Sequence, residues 1–455
     1  MNAKAPKPLL RTLVCLLLLW PRPSLAQASH RALLNAFMLA QAKINDFSGA
    51  VIVAQRGRVI YERAFGMADR EWQTPNTVDS KFEIGSLTKQ FTAACILQLA
   101  YDGKLRLDDK LNKYFPGFPN GGSITVRMLL NHTSGLHDYT ALPGFARLQS
   151  AAVEKDTVLA LLATQSLDFP SGTQWRYTNS GYFLLAYIVE KVTGKPFRDY
   201  MYDNVLHKIG LRDTDINRRD SVLPLRTRGY VKTPRGWINA EYVSIEGLFG
   251  AGSMYSTIGD LYRWENALFG GRVLSPSFLA EMVTAHSGGY GYGLYIDSLQ
   301  THQRFWHSGN VPGFTSYDAR YPREDVSIAV VSNNSSNSAS NGNALAAILF
   351  GIPVVLPYVH KEVAIDSVVM KRYAGTYLRS GASTNADTIS FKKGKLYMHI
   401  VDFGGDFELK PESNTKFYLA VFPDFLQVEF SVDKHGAPVD AHFIQGNVRN
   451  HLTKR

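Results

Sequence analysis

Apolar and polar positions along the chain change period from region to region. Ala50-Val-Ile-Val-Ala-Gln55 and Val59-Ile-Tyr-Glu-Arg63 flank Arg56-Gly57-Arg58, which predicts a strand, a tight glycine turn and a second strand. From Ser86 to Ala100 the apolar positions Leu87, Phe91, Ala94, Cys95, Leu97 and Leu99 fit a helix, with Gly103 as its stop. Ala93 to Leu97 is apolar all round, so this helix is expected to be central and buried. Residues 105–285 alternate helical stretches with Pro and Gly turns, the candidates being Thr125–Leu130, Val158–Thr164, Gly181–Val192 and Ser256–Leu268. Strand signals return at Phe314–Tyr321 and Val326–Ser332, followed by a helix-like Ala344–Phe350. Strands at both ends of a helical middle imply an α/β layer assembled from distant parts of the chain, with an all-α part between them.

Gly351-Ile-Pro-Val-Val-Leu-Pro357 then interrupts the pattern. Beyond Val368 come short alternating segments, Lys395–Ile400, Phe417–Phe422 and Gln427–Val432, parted by turns such as Lys392-Lys-Gly394. They predict a small all-β, barrel-like domain. The expected organisation is a leader at 1–26, a two-part domain at 27–350 with its helical part at about 105–285, a linker at 351–366 and the β-domain at 367–455. No repeat or heptad is present, and Ser332–Asn343 reads as a polar loop.

With 45% hydrophobic, 12% aromatic and 19% charged residues, the chain is too apolar to be disordered. Its surplus of ten basic residues is partly local. Residues 1–26 hold Lys4, Lys7, Arg11 and Arg22 and no acid, so setting them aside lowers 49 basic residues to 45 against 39 acidic ones. A surplus of six without a dense basic run argues against a nucleic-acid partner. The same basic residues precede the apolar run Leu13–Trp20 and the small-x-small pattern Ser24-Leu25-Ala26, the pattern of an export signal cleaved after about Ala26. That run is too short for the roughly 20 residues a span needs, and no later segment supplies one, so a periplasmic or secreted protein is expected. Cys15 would leave with the leader, so that Cys95 remains alone and no internal disulfide forms.

Ser86-Leu-Thr-Lys89 puts a hydroxyl and an amine on one face at a helix start, where free N–H groups and the dipole favour an oxyanion. The spacing alone is weak. It recurs at Ser390/Lys393, Ser413/Lys416 and Ser431/Lys434, but there in β-like sequence that sets the two side chains on opposite faces. Tyr177-Thr-Asn179 follows a turn and precedes a helix, whereas the similar Tyr202-Asp-Asn204 lies within the helical run Phe197–Val205. His307-Ser-Gly309 leads into Val311-Pro-Gly313 ahead of a strand.

Five segments together, Phe82–Lys89, Met128–Leu136, Trp175–Tyr182, Gly250–Thr257 and His307–Gly309, resemble the serine β-lactamase and penicillin-binding protein superfamily. The branch is that of class C β-lactamases, D-alanyl-D-alanine carboxypeptidases, D-aminopeptidases and related esterases. The resemblance covers about residues 30–350 and implies a two-subdomain hydrolase of β-lactamase/transpeptidase type, with the site in the cleft between its parts. It implies Ser86 as acyl-enzyme nucleophile, Lys89 as its proton acceptor and Tyr177 as second acid/base group. Asn179 would bind the substrate amide, and the backbone N–H groups of Ser86 and Asn310 would hold the oxyanion, with His307, Ser308 and Gly309 alongside. Lys371-Arg-Tyr-Ala-Gly-Thr-Tyr377 is similar to the opening of the lipocalin-like barrel carried by some members.

The expected function is thus hydrolysis of small amides, peptides or esters through an acyl-enzyme, without metal or cofactor. A class C β-lactamase is the alternative among enzymes. A non-catalytic homologue that binds cell-wall peptides or forms assemblies is the alternative outside them. β-Lactamases usually have Lys at the first position of this motif, where this chain has His307. An imidazole near its ordinary pKa of about 6.5 attracts a substrate carboxylate only as the pH falls, which disfavours a β-lactamase and predicts a titration between about pH 5 and 8. His132, His137, His286 and His302 lack the close pairing of a metal site, and Cys95 reads as core. Tyr290-Gly-Tyr-Gly-Leu-Tyr295 is either a Gly-bent strand or an aromatic wall of the cleft.

Overall fold

The computed structural model describes residues 25–143, 145, 154–218, 220–241, 247–379, 386–400, 405–420, 426–446 and 448–454. The apolar run Leu13–Trp20 and all but the last two residues of the expected leader lie outside these.

Six strands form the central sheet: β1 (Gly49–Gln55), β2 (Arg58–Phe65), β3 (Tyr295–Leu299), β4 (His302–Val311), β5 (Phe314–Tyr321) and β6 (Val326–Ser332). Their order is β3-β4-β5-β6-β1-β2, and every pairing is antiparallel. The predicted hairpin and both late strands are present. Residues 49–54 of β1 are all buried, because helices cover both faces of the sheet at its centre. One face carries helices α1 (Leu25–Ile44) and α5 (Ser338–Leu349), where Leu34, Phe37 and Met38 meet Val51, Val53 and Val330. The other carries α2 (Thr88–Tyr101) and α4 (Ile258–Phe269), where the rings of Phe91 and Trp264 stack at 4.0 Å against the layer of Ala50, Ile52 and Val331.

Helix α2 is buried from Thr88 through Leu97, as its all-round apolar pattern predicts. It packs on α3 (Asn179–Thr193), the longest helix of the middle region. A Cβ on Gly250 would lie 2.4 Å from that of Ala186, so this glycine lets the segment before Met254 press onto α3.

Between the helical stretches, the region 105–285 also contains the hairpin Tyr230–Thr233/Gly236–Asn239 and two strands, Met254–Ser256 and Asp215–Ile216, that join Phe82–Glu83 in a small sheet. Several expectations are corrected. The polar patch Ser332–Asn343 is only partly loop. From Ser338 onward it is the first half of α5, started by Asn337, whose side chain accepts from Ser340 N at 2.9 Å. His307-Ser-Gly309 lies inside β4 rather than ahead of a strand, paired with Asp318-Tyr-Ser316 of β5. Helix α1 has no counterpart among the predicted elements, although its buried positions 34, 37, 38 and 41 have helical spacing.

Residues 351–366 run without helix or strand, and a short helix, Ser367–Arg372, introduces eight further strands. These are β7 (Gly375–Arg379), β8 (Ala386–Lys392), β9 (Lys395–Ile400), β10 (Gly405–Pro411), β11 (Lys416–Leu419), β12 (Leu426–Val432), β13 (Pro438–Gln445) and β14 (Val448–Lys454), closed into a barrel by the pairing of β7 with β14. Side chains fill its centre, with Tyr373 and Phe430 stacked at 4.1 Å beside Tyr377, Met398 and Phe417. The barrel meets the α1/α5 side of the sheet, where Val448 joins the cluster of Leu349 and Ile352. No helix among the described residues is long and apolar enough to cross a membrane.

The barrel has its own core, and all six tryptophans of the sequence precede His307. Phe430→Ala should therefore lower barrel stability by about 3–5 kcal/mol, with a smaller effect on the first unit. The check is urea unfolding followed in parallel by far-UV circular dichroism and tryptophan fluorescence, in which the dichroism midpoint should fall further.

Candidate active site

The start of α2 is set by a short helical turn, Gly85–Leu87, held against β4. Gly85 has φ +50, and a Cβ there would lie 2.9 Å from Asn310 N. A Cβ on Gly309 would lie 2.0 Å from Ile84 O. Only two glycines allow this approach, and Ser316 Oγ secures it by donating to Ile84 O at 2.7 Å. The Ser86 and Asn310 backbones are thereby brought together. Among the described residues, β3 pairs with β4 only as far as Trp306, so the β4 edge beyond that point has no strand partner on the cleft side.

Lys89, one turn into α2, has no solvent exposure. Its Nζ donates to Ser86 Oγ (3.0 Å), to Asn179 Oδ1 (2.8 Å) and to the Ala251 carbonyl (2.8 Å). Burial pushes its pKa down from 10.5 to about 7, opposed by the negative charge of Asp138. Near neutral pH a large share of the amine is therefore uncharged. It then has two N–H groups and one lone pair. Both carbonyl oxygens can only accept, so the lone pair faces Ser86 Oγ.

Tyr177 is hydrogen-bonded to the Ser86 side chain, and its ring lies 4.8 Å from Lys89 Nζ. Burial raises its pKa well above 10, so the phenol keeps its proton at neutral pH. Around it stand His132 (4.5 Å between ring centres), Tyr290 (6.2 Å), Tyr295 (6.5 Å, stacked) and His307 (6.0 Å). The glycine-tyrosine stretch 290–295 is thus an aromatic wall, turning tightly ahead of β3.

His307 is buried, and its geometry fixes its tautomer. Nδ1 lies 2.6 Å from the Ser308 carbonyl, which can only accept, so Nδ1 carries the hydrogen. Nε2 then accepts from Tyr290 Oη at 3.0 Å. Burial first, then the neighbouring Lys89 charge, pushes its pKa down to about 3. The expected titration between pH 5 and 8 is therefore overturned, and the ring stays neutral across that range. Ser308 is half-buried and Asn310 exposed.

Asn179, at the first position of α3, serves Lys89 in this structure, and its Nδ2 donates to Asp138 Oδ2 (3.2 Å) and Thr140 Oγ1 (3.1 Å). Asp138, Thr140 and Ala251 were not singled out in the sequence. Asp138 leaves one local signal, an acid two residues before Thr140 that caps the turn Tyr139–Ala141. The other Ser-x-x-Lys pairs fall at barrel positions, with Ser390 in β8, Ser431 in β12 and Ser413 in a turn. Tyr202 is partly exposed on a π-helical turn. Cys95 is fully buried, and burial raises its thiol pKa, so it lies in the core. His132 is buried in the aromatic group, with Nδ1 accepting from Thr178 N at 3.3 Å.

A helix start that carries a serine, facing a strand edge with a buried amine between, is a setting suited to acyl transfer. The family model described as Beta-lactamase matches residues 40–350. The chain belongs to the beta-lactamase family. It is 31% identical over 424 residues to Penicillin-binding protein 4* of Bacillus subtilis (strain 168), covering 86% of this chain and 92% of that one. To the D-aminopeptidase of Gluconobacter oxydans (strain 621H) it is 26% identical over 318 residues, 67% of this chain and 59% of that one. The crystal structure of a D-stereospecific amidohydrolase from Streptomyces sp. superposes with a TM-score of 0.61 at 28% identity, over 70% of this chain and 98% of that one. This family member is a serine hydrolase.

Gly309→Ala tests the turn-to-strand contact. The added methyl must push β4 from Ile84 O, so labelling by a fluorophosphonate should slow by roughly 10²-fold, the scale of one lost oxyanion donor. Circular dichroism should show an intact fold.

Proposed function

We propose that the protein is an exported hydrolase in which Ser86 attacks the acyl carbon of a small amide, peptide or ester. The observation that carries this reading is the Lys89 amine, buried and bonded to two carbonyl oxygens with its third partner Ser86 Oγ. As Oγ attacks, its proton passes to Lys89 Nζ. The tetrahedral oxyanion is held by the N–H groups of Ser86 and Asn310. When the intermediate collapses, Tyr177 Oη gives its proton to the leaving group and is reprotonated from Lys89. Water then releases the acyl group by the reverse path. The phenol acts as a relay and the amine as the base, because their pKa values are pushed apart. Asn179 meets the substrate amide at the cleft edge through the second lone pair of its Oδ1, keeping its bonds to Asp138 and Thr140.

His307 decides between substrate classes. A neutral ring bonded to Tyr290 offers no fixed charge to a carboxylate on the leaving side. This supports amides and esters with uncharged leaving groups over β-lactams. The named activities of the Gluconobacter oxydans and Streptomyces relatives support D-amino-acid derivatives among them. Export rests on the basic, then apolar, sequence ahead of Ala26.

The deciding assay compares kcat/KM for D-amino-acid amides, D-Ala-D-Ala peptides, short p-nitrophenyl esters and a chromogenic cephalosporin. Neutral amides and esters should lead, and a lead by the cephalosporin overturns the substrate reading. Ser86→Ala should abolish turnover and fluorophosphonate labelling, whereas Ser390→Ala, Ser413→Ala and Ser431→Ala should leave both nearly unchanged. Tyr177→Phe should lower kcat by about 10²–10⁴, and Tyr202→Phe should have little effect. The pH profile follows from Lys89: only the neutral amine accepts a proton, so kcat/KM on an ester should fall as the pH drops below about 7.

A further inference from the structure

Asp138 contributes no atom to the acyl-transfer steps, yet it faces the groups that do. Its carboxylate accepts four hydrogen bonds. Oδ1 takes Thr140 N (3.0 Å) and Thr140 Oγ1 (2.8 Å), and Oδ2 takes Asn179 N (3.3 Å) and Asn179 Nδ2 (3.2 Å). Four donors match the roughly four lone-pair sites of a carboxylate, so the group is satisfied without substrate. It is also oriented by its own turn, which it caps, and by the first N–H of α3.

These bonds settle which way the Asn179 amide points. An ionised carboxylate can only accept, so the side of the amide facing Asp138 must be the NH₂. The same NH₂ reaches Thr140 Oγ1, whose hydrogen is already given to Asp138. The amide oxygen is left toward Lys89, 2.8 Å from Nζ. Were the amide reversed, two donors would face each other beside a buried amine.

We propose that Asp138 is a positioning residue of this hydrolase: it holds the Asn179 amide with its oxygen toward Lys89 and keeps one negative charge facing that amine. The proposal rests on Lys89 being the proton acceptor. The groups around Lys89 make Asp138 electrostatically distinct. Ser86 stands on the short turn that opens α2, His132 on the segment before Asp138, Tyr177 just before α3 and Tyr182 on it, and His307 on β4. Burial keeps both imidazoles and both phenols uncharged at neutral pH. Asp138 is then the anion that opposes the burial of Lys89. Removing its charge makes protonated Lys89 less favourable, so the amine becomes a base at lower pH. A residue acting only as a helix or turn cap would not have that effect.

The test is the pH dependence, from about pH 5 to 9, of the second-order rate at which an uncharged fluorophosphonate labels the full chain. Asp138→Asn and Asp138→Ser both keep a capping side chain, which guards the fold. In both, the acid limb should move down by about one pH unit, the lower end of the effect of a close opposite charge, and the plateau should fall at least several-fold. Asp138→Glu keeps the charge but not the geometry, so its plateau should fall while its acid limb stays at the wild-type position. An unmoved limb in the Asn and Ser variants, or an equal shift in Asp138→Glu, overturns the role of Asp138. A wild-type profile without an acid limb near pH 7 instead removes Lys89 as the base, and the proposal falls with it.

Discussion

The structure turns on keeping an amine out of water. A lysine buried inside a protein resists its charge, and only matched acceptors make its placement tolerable. Here the ring of acceptors comes from three separate parts of the chain: the serine in the short turn ahead of α2, the first residue of α3 and the Ala251 carbonyl. Each must be delivered to within hydrogen-bond distance, and the helical packing does so. Gly250 lets its segment press onto α3, which sets the carbonyl of the next residue over Lys89. Gly293 brings the tyrosine-rich turn against the backbone of Lys89 and Gln90 from the other side, where a Cβ would lie 2.8 Å from Lys89 O. The aromatic wall that follows keeps the pocket dry, and dryness depresses the amine and both histidines together.

A second polar layer lies behind the first. Gln90, next to Lys89, donates to both oxygens of Asp318 at 2.8 and 2.9 Å and accepts from Trp264 Nε1 at 3.0 Å. Asp318 is the ladder partner of His307. The helix bearing the amine and the strand bearing the imidazole are thus joined behind the cleft by side chains as well as in front of it by glycines. Such second-layer bonds fix where the reacting groups stand without touching them.

How much of this could be read from residues alone depended on the range of the interaction. The hairpin at Gly49–Phe65, the burial of α2, strands β5 and β6 and the alternating barrel strands follow from local period, and the motif segments hold Ser86, Lys89 and Tyr177, which the fold brings together. Helix α1 shows its spacing only once it is known which face it covers. The titration expected of His307 is absent because an isolated imidazole in a sequence carries no sign of its burial, and neither its tautomer nor its bond to Tyr290 can be inferred from spacing. The parts played by Asp138 and by the Ala251 carbonyl, which lies inside the motif segment Gly250–Thr257, carry no such signal, because both act on Lys89 through contacts between segments 49 and 162 residues away in the chain, for which sequence offers no period.

The order of strands also governs how the chain can fold. Strand β1 pairs with β2 across a two-residue turn, but its other neighbour is β6, with Gly49 opposite Ser332. Between the two lies the entire helical region, so the hairpin must wait with an apolar edge uncovered while that region condenses. Closure of so long a loop is slow, and an open edge of Val51 and Val53 invites pairing with another chain. For this protein, the hazardous interval in folding is the time before β6 arrives, when a helper that shields one strand edge would do more for yield than any added stability of the finished fold.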